Sequence, residues 1–320
     1  MSIQTTRIQL RRGTSQALAA VNEVLLAGEI CIETDTGKYK IGDGSTAWSS
    51  LEYAGGEAAT STEDNVLNYN NAGTHNSIYL EGSLGNSLTA EQSAAIRAGT
   101  FENIYVGKSW TFTDVPYTYT DENNATQSST YSGTMRVADC DYYLNCGDTA
   151  LTAHHVVVVP DESLFSAKMN DTSTTEGGYV GSKMYTTYLR RAEAIFKACF
   201  GEDHVLSHRE YLVNAVSNGR PSGGTWYTRL VDLMDERMVY GSLIYDSGGS
   251  DGSTISNRYS VSQKQLNLFR HRPDLIGIRV MYWLRNVVSG AYFAGVSYRG
   301  YCSYGSAYNS YGVRPAALIY

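Results

Sequence analysis

From Trp283 to Pro315 the chain reads WLRNVVSGAYFAGVSYRGYCSYGSAYNSYGVRP, and no other stretch limits the fold as strongly. Of the 24 residues between Ser289 and Gly312, 17 are Tyr, Ser, Gly or Asn. No Asp, Glu or Lys follows Asp274; the charged side chains beyond it are Arg279, Arg285, Arg299 and Arg314. Antibody combining loops favour the same four residue types. Tyr gives a large, stiff, half-polar contact surface, and Ser, Gly and Asn give adaptable hydrogen bonding. Tyr298, Tyr301 and Tyr304 sit three apart, followed by Tyr308 and Tyr311, a spacing that fits neither a long strand nor an uninterrupted helix. It predicts short strands and turns, with Phe293, Ala294 and Val296 inward and Tyr292, Ser297, Tyr298 and Tyr301 outward. A disordered low-complexity tail is the competing reading. The apolar runs Tyr282-Trp283-Leu284 and Ala316-Ala317-Leu318-Ile319 anchor both ends and argue against it.

A chain of 320 residues is long enough for two or more domains and a sizeable core. With 26 Tyr, 31 Gly and only 18% charged residues, it reads as β-rich and loop-rich rather than as a coiled coil. A net charge of −7 gives no global attraction to nucleic acid or anionic membrane. The opening MSIQTTRIQLRRGT lacks the apolar core of a signal peptide, and no run reaches membrane-spanning length, so synthesis in a cytosol and no membrane insertion are expected. The five cysteines, Cys31, Cys140, Cys146, Cys199 and Cys302, are odd in number and widely spaced, which favours isolated thiols over a disulfide framework or a zinc site.

Residues 1–55 read as a small β unit. Ile8 and Leu10 lead through Arg11-Arg12-Gly13-Thr14 into a turn, Ser15 can cap a short helix from Ala17 to Val21, and Gly28–Glu33 alternates as a strand. Asp35-Thr36-Gly37 turns the chain into the return strand Tyr39–Ile41. Trp48 and Leu51 add apolar contacts to a thin core, which oligomerisation would support. Residues 56–100 read as a polar linker with a strand at Ile78–Leu80 and a helix capped by Thr89. Residues 101–320 read as one domain. Strands are expected near Ile104–Gly107, Trp110–Phe112, Thr134–Asp139 and His155–Val159, and helices at Ser182–Phe200 and Leu230–Val239. Loops are expected at 121–133, Asn214–Gly224 and Asp246–Asn257.

The segments LRRGTSQALAA and LLAGEICIETDTGKYKIGDGSTAWSSL resemble the N-terminal module of phage tail-fibre and baseplate proteins. That resemblance implies a small all-β, β-prism-like and hairpin-rich module that attaches to the virion and is often trimeric. Cys31 departs from it, standing where a small aliphatic residue or Gly is expected. The segments DCDYYLNCGDTALTAHHVVVVPD, MNDTSTTEGGYVGSKMYTTYL, FGEDHVLSHREYLVNAVSNG, VDLMDERMVYGS and YWLRNVVSGAYFAGVS are similar to variable proteins of diversity-generating retroelements. This second resemblance implies an α+β, C-type-lectin-like domain over 101–320 with a variable region at about 282–312, where adenine-directed mutagenesis rewrites chosen codons.

The remaining constellations carry little chemistry. His204 and His208 stand four apart, as metal ligands on a helix do, but HVLSH lacks the Glu of the metalloprotease pattern. His154 and His155 lead into a strand, where neighbouring side chains point to opposite faces. No nucleophile elbow, phosphate loop or dinucleotide loop occurs, and the sequence lacks the tripeptides of calcium-dependent sugar-binding lectins. No catalytic residue, metal or cofactor is expected. Arg285 and Arg314 flank the variable stretch and are expected to pin it through carboxylates or backbone carbonyls.

The sequence thus points to a phage receptor-binding or tail-tip protein, a virion component whose C-terminal surface binds a host-cell surface protein or glycan. Its N-terminal module would meet other phage tail proteins and hold a homotrimer. The residues expected to form one exposed ligand-binding patch are Asn286, Tyr292, Ser297, Tyr298, Arg299, Tyr301, Ser303, Tyr304, Tyr308 and Asn309. The alternative is a structural attachment protein whose C-terminal tyrosines pack between subunits.

Overall fold

The computed structural model describes residues 10–54, 70–246 and 264–320. The expected strand residue Ile8, the polar stretch 55–69 and most of the Asp246–Asn257 loop lie outside them. The chain divides into two units, Met1–Tyr69 and Asn70–Tyr320.

In the first unit β1 (Arg11–Gly13) runs parallel to β2 (Ile30–Glu33), and β2 pairs antiparallel with β3 (Tyr39–Ile41). Between β1 and β2 lies α1 (Ser15–Val21). Thr14, one residue before the expected cap, accepts from the Ala17 amide, and Asn22 closes the helix in the left-handed region at φ 45°. Among the described residues its core is four buried side chains, Leu25, Cys31, Trp48 and Leu51. The cysteine that departs from the module's pattern is therefore a core residue. No residue of α1 is buried, and Leu10, Val21, Val24, Leu26, Tyr39 and Ile41 are exposed.

The second unit begins earlier than the expected boundary at 101. Helix α2 (Ala72–Ser77), strand β4 (Tyr79–Gly85) and helix α3 (Ala90–Arg97) belong to it; the strand and the Thr89-capped helix were expected, but within a connector over 56–100. Thr89 and Gln92 form a reciprocal capping box on α3, whose Ile96 is fully buried. Strands β5 (Val106–Thr120) and β6 (Thr126–Cys140) form a long hairpin. The expected loop 121–133 is therefore only a turn at 121–125, held by the Asp121 carboxylate on the amides of Asn123 and Ala125. On the outer part of β5, Val115, Tyr117 and Tyr119 face the core while Pro116, Thr118 and Thr120 face solvent, the alternation of a half-buried strand.

Strands β7 (Val156–Pro160) and β8 (Phe165–Lys168) follow. The expected helix over Ser182–Phe200 opens as a wide π turn at Met184–Tyr188 and continues as α4 (Leu189–Phe200), ending at Gly201 with φ 94°. After β9 (Val205–Leu206), strands β10 (His208–Ser217) and β11 (Arg220–Arg229) replace the loop expected at 214–224. Asn218 and Gly219, at φ 50° and 75°, turn this hairpin, the residue pair that a two-residue hairpin favours. The helix expected over Leu230–Val239 is strand β12 (Val231–Leu233) followed by the short α5 (Glu236–Tyr240), with Asp235 capping the Met238 amide. All three residues of β12 are buried, so the strand shows no alternation. Helix α6 (Asn267–His271) precedes β13 (Tyr282–Val287), β14 (Tyr292–Val296), β15 (Cys302–Ser306), β16 (Ser310–Val313) and β17 (Pro315–Ile319).

These strands form two larger sheets. One has seven strands ordered β12-β17-β7-β6-β5-β4, with β9 also on β17; the other has five ordered β15-β14-β13-β16-β8. The C-terminal strand is thus an interior strand of the larger sheet. One core cluster joins Trp283 and Phe293 to Trp110, Phe196 and Ile96. A second joins Tyr282, Leu284, Ala294 and Val296 to Val157, Val159 and Phe269. Both faces of β13 and β14 are therefore packed. The mixture of sheets with a few helices agrees with an α+β class.

Candidate ligand-binding surface

The C-terminal stretch separates into a buried frame and an exposed face. Trp283, Phe293, Val296 and Val313 are fully buried, as their apolar character requires. The Trp283 indole N–H donates to the Ala167 carbonyl at 2.9 Å, and its ring packs 4.5 Å from that of Tyr311. On β15 only Gly305 is buried. A Cβ there would meet the Tyr311 ring at 2.3 Å, so the glycine lets that ring pack beneath the strand.

Tyr292, Tyr298, Tyr301, Tyr304 and Tyr308 are all exposed, Tyr301 most of all at 67%. Arg299 is exposed; Ser297, Ser303 and Asn309 are half-buried. Antiparallel pairing sets Tyr292 opposite Ser306 and Val296 opposite Cys302, so the exposed residues run from the 297–301 turn along β15 to the turn at 307–309. The first turn is closed by the Ser297 amide donating to the Tyr301 carbonyl at 2.8 Å, and the Ser297 hydroxyl accepts from the Tyr301 amide at 3.1 Å. Its Gly300 has φ 88° and lies backbone to backbone against Gly277, contact that a side chain at either position would obstruct. In the second turn the Asn309 side-chain amide donates to the Tyr311 hydroxyl at 2.8 Å.

Two of these rings touch each other, and two others carry a cation. Tyr304 stands edge-on to Tyr292 at 5.6 Å, the Arg299 guanidinium lies 5.3 Å from the Tyr298 ring centre, and the Lys168 ammonium lies 4.1 Å from that of Tyr308. One expected member is misplaced: Asn286 is buried, its side chain bonded to the Glu236 amide and to Asp246. It sits on the interior strand β13, all of whose residues are buried. Sequence reasoning also missed Tyr245, an exposed ring 5.1 Å from Tyr304, because it lies outside the Tyr/Ser/Gly/Asn stretch.

Both flanking arginines pin the frame. Arg314 is buried and donates to the carbonyls of Pro160, Leu275 and Ile276 at 2.8–3.2 Å. Arg285 lies 3.1 Å from Glu210, 3.6 Å from Asp232 and 3.5 Å from Asp235. Burial alone would lower its pKa, but the three carboxylates raise it well above the ordinary value. Burial would likewise raise that of Glu210, and Arg285, His208 and the Tyr143 hydroxyl instead hold it at about 2.

The remaining sequence candidates lie elsewhere. His204 ends a short 3-10 turn, with Nδ1 2.7 Å from the Tyr320 carbonyl, whereas His208 begins β10. His154 pairs with Asp141 at 2.7 Å, and buried His155 accepts from the Tyr143 amide. The five thiols are free: Cys31, Cys140 and Cys199 are buried, Cys146 and Cys302 half-buried.

Among the described residues no helix is long and apolar enough to cross a membrane. No curated protein matches the chain. A solved structure of a full-length streptococcal bacteriophage hyaluronidase, in complex with unsaturated hyaluronan octasaccharides, is 42% identical over 16% of this chain. The alignment spans only 14% of that chain, and the TM-score is 0.15. Residues 8–46 match the family of the major tropism determinant N-terminal domain. The match supports a tropism- or tail-fibre-like phage protein and a virion component.

Proposed function

We propose that this chain is a receptor-binding protein of a phage tail fibre or baseplate tip, and that its C-terminal tyrosine surface attaches the virion to a host-cell surface molecule. The observation that carries this reading is the division within one short stretch: five exposed tyrosines stand on strands and turns whose intervening Phe293, Ala294, Val296 and Ala307 are fully buried. Side chains on such a face can change without disturbing the packing beneath. The amino-terminal tropism-determinant match supports the phage context.

On this reading the larger unit is a C-type-lectin-like domain and its exposed positions are rewritten by a retroelement; the surface binds and does not catalyse. Support comes from the C-terminal strand returning to an interior position of the larger sheet, between β12 and β7, and from the loop-bearing strands forming a second sheet. The genome tests the diversification directly. A near-copy of the coding sequence for residues 282–312, differing at adenines and lying beside a reverse-transcriptase gene, is expected. A stretch without such a copy in its phage genome, unchanged among sibling phages, contradicts it.

The first unit is the homotrimerisation module on this reading. Four buried apolar side chains make a small core, while Val21 and Leu26 are 68% and 75% exposed. Sedimentation of the full chain should give a trimer, and Val21→Glu with Leu26→Glu should give a monomer. A monomeric parent chain contradicts the assembly.

A further inference from the structure

Ile244 and Tyr245 are large, apolar and exposed, at 49% and 39%. The Tyr245 ring stands edge-on to Tyr304 at 5.1 Å, extending the contact between Tyr304 and Tyr292 to a third ring. Among the described residues a buried carboxylate holds the backbone of this segment. Glu236 accepts from the amides of Ile244 at 2.7 Å, Tyr245 at 3.0 Å and Asp246 at 3.1 Å. The Cys302 thiol on β15 donates to the same carboxylate at 3.3 Å. Asn286 closes the arrangement, accepting from the Glu236 amide and donating to Asp246, both at 2.8 Å. One group thus ties three successive backbone amides and the edge strand of the display sheet together. Charge-assisted hydrogen bonds of this kind are stronger than neutral ones. An aromatic side chain held by such a backbone loses less conformational freedom on contact with a partner.

We propose that Ile244 and Tyr245 are contact residues of the ligand surface, contributed from outside the variable stretch, and that Glu236 is the positioning residue that presents them. The inference rests on the receptor-binding reading above. A surface whose tyrosines are rewritten keeps, in these two residues, a contact that does not change with them.

The test uses the full-length chain, with fixed bacterial cells from a strain that co-sediments with the parent protein as the probe. Ile244→Ser with Tyr245→Ser should remain folded and bind those cells at least about ten-fold more weakly, the loss of an interface anchor. In Glu236→Ala the amides of Ile244, Tyr245 and Asp246 should exchange hydrogen at least about ten-fold faster while amides of β13 keep their parent rates. Glu236→Gln, which keeps an acceptor oxygen, should restore part of the protection. Parent-like binding by the Ile244/Tyr245 variant, or parent rates at all three amides in Glu236→Ala, overturns the inference. If Tyr298, Tyr301 and Tyr304 changed together to Ser abolish binding while the Ile244/Tyr245 variant binds normally, only this inference falls. Parent-like binding by both variants overturns the proposed function itself.

Discussion

Tyr282, at the foot of the C-terminal stretch, and Tyr301 within it have opposite fates: one is fully buried, the other 67% exposed. Tyr282 lies on β13, whose six residues are all buried and whose two faces serve two core clusters. Tyr301 closes a turn beside β15, where a glycine is the one buried residue. The difference teaches that composition does not assign a role here, whereas position in the five-stranded sheet does. An interior strand packed on both faces must keep its side chains; an edge strand with its turns can exchange them.

The largest effect that would break this division lies at Trp283. Its indole fills the core and satisfies the Ala167 carbonyl. Trp283→Ala should cost about 3–5 kcal/mol in urea unfolding, through lost burial and an unfilled cavity. A cost near that of an exposed tyrosine would erase the distinction between frame and face.

A smaller effect concerns the buried titratable groups of the domain. Burial lowers the His155 pKa from 6.5 to about 4, and burial raises that of Asp139 from 3.8 to about 6. As pH falls from 6.5 toward 4, the unfolded chain takes a proton that folded His155 refuses, so folding loses stability. Between 6 and 3.8 the folded chain takes a proton on Asp139 that the unfolded chain refuses, so folding gains stability. The two windows overlap with opposite sign, so in the parent the Asp139 gain offsets most of the His155 loss between pH 6.5 and 4.5. Asp139→Asn removes the gain, and across that interval the variant should lose roughly 2 kcal/mol more stability than the parent. Urea midpoints at the two pH values measure it; parallel profiles for parent and variant contradict the account.

The frame was legible in the apolar residues of the stretch and the apolar run that anchors its start. Trp283, Phe293, Val296 and Val313 are buried as expected, and Arg285 and Arg314 bind the carboxylates and carbonyls anticipated for them. The hairpin β2–β3 and the Thr89 cap were equally plain, because turn and capping chemistry is local. The failures have different origins. β12, buried on both faces, lacks the alternation that marks a half-buried strand, whereas on β5 Val115, Tyr117 and Tyr119 do alternate and that signal was missed beside the polar turn and the Ser/Thr-rich start of β6. Asn286 was misread because an interior strand can bury an amide whose hydrogen bonds are met by groups distant in sequence, here Glu236 and Asp246. Tyr245 carried no compositional signal; only the fold brings it to Tyr304.

The most direct measurement changes Tyr298, Tyr301 and Tyr304 together to Ser in the full-length chain and records melting and cell adsorption on the same preparation. Exposed substitutions typically shift stability by no more than about 0.5 kcal/mol each, so the melting temperature should stay within a few degrees of the parent. Adsorption to fixed cells that retain the parent should be lost, because tyrosines at the centre of an interface carry most of its energy. A variant that melts like the parent and adsorbs like it would contradict the account, since the exposed tyrosines would then not be the binding surface.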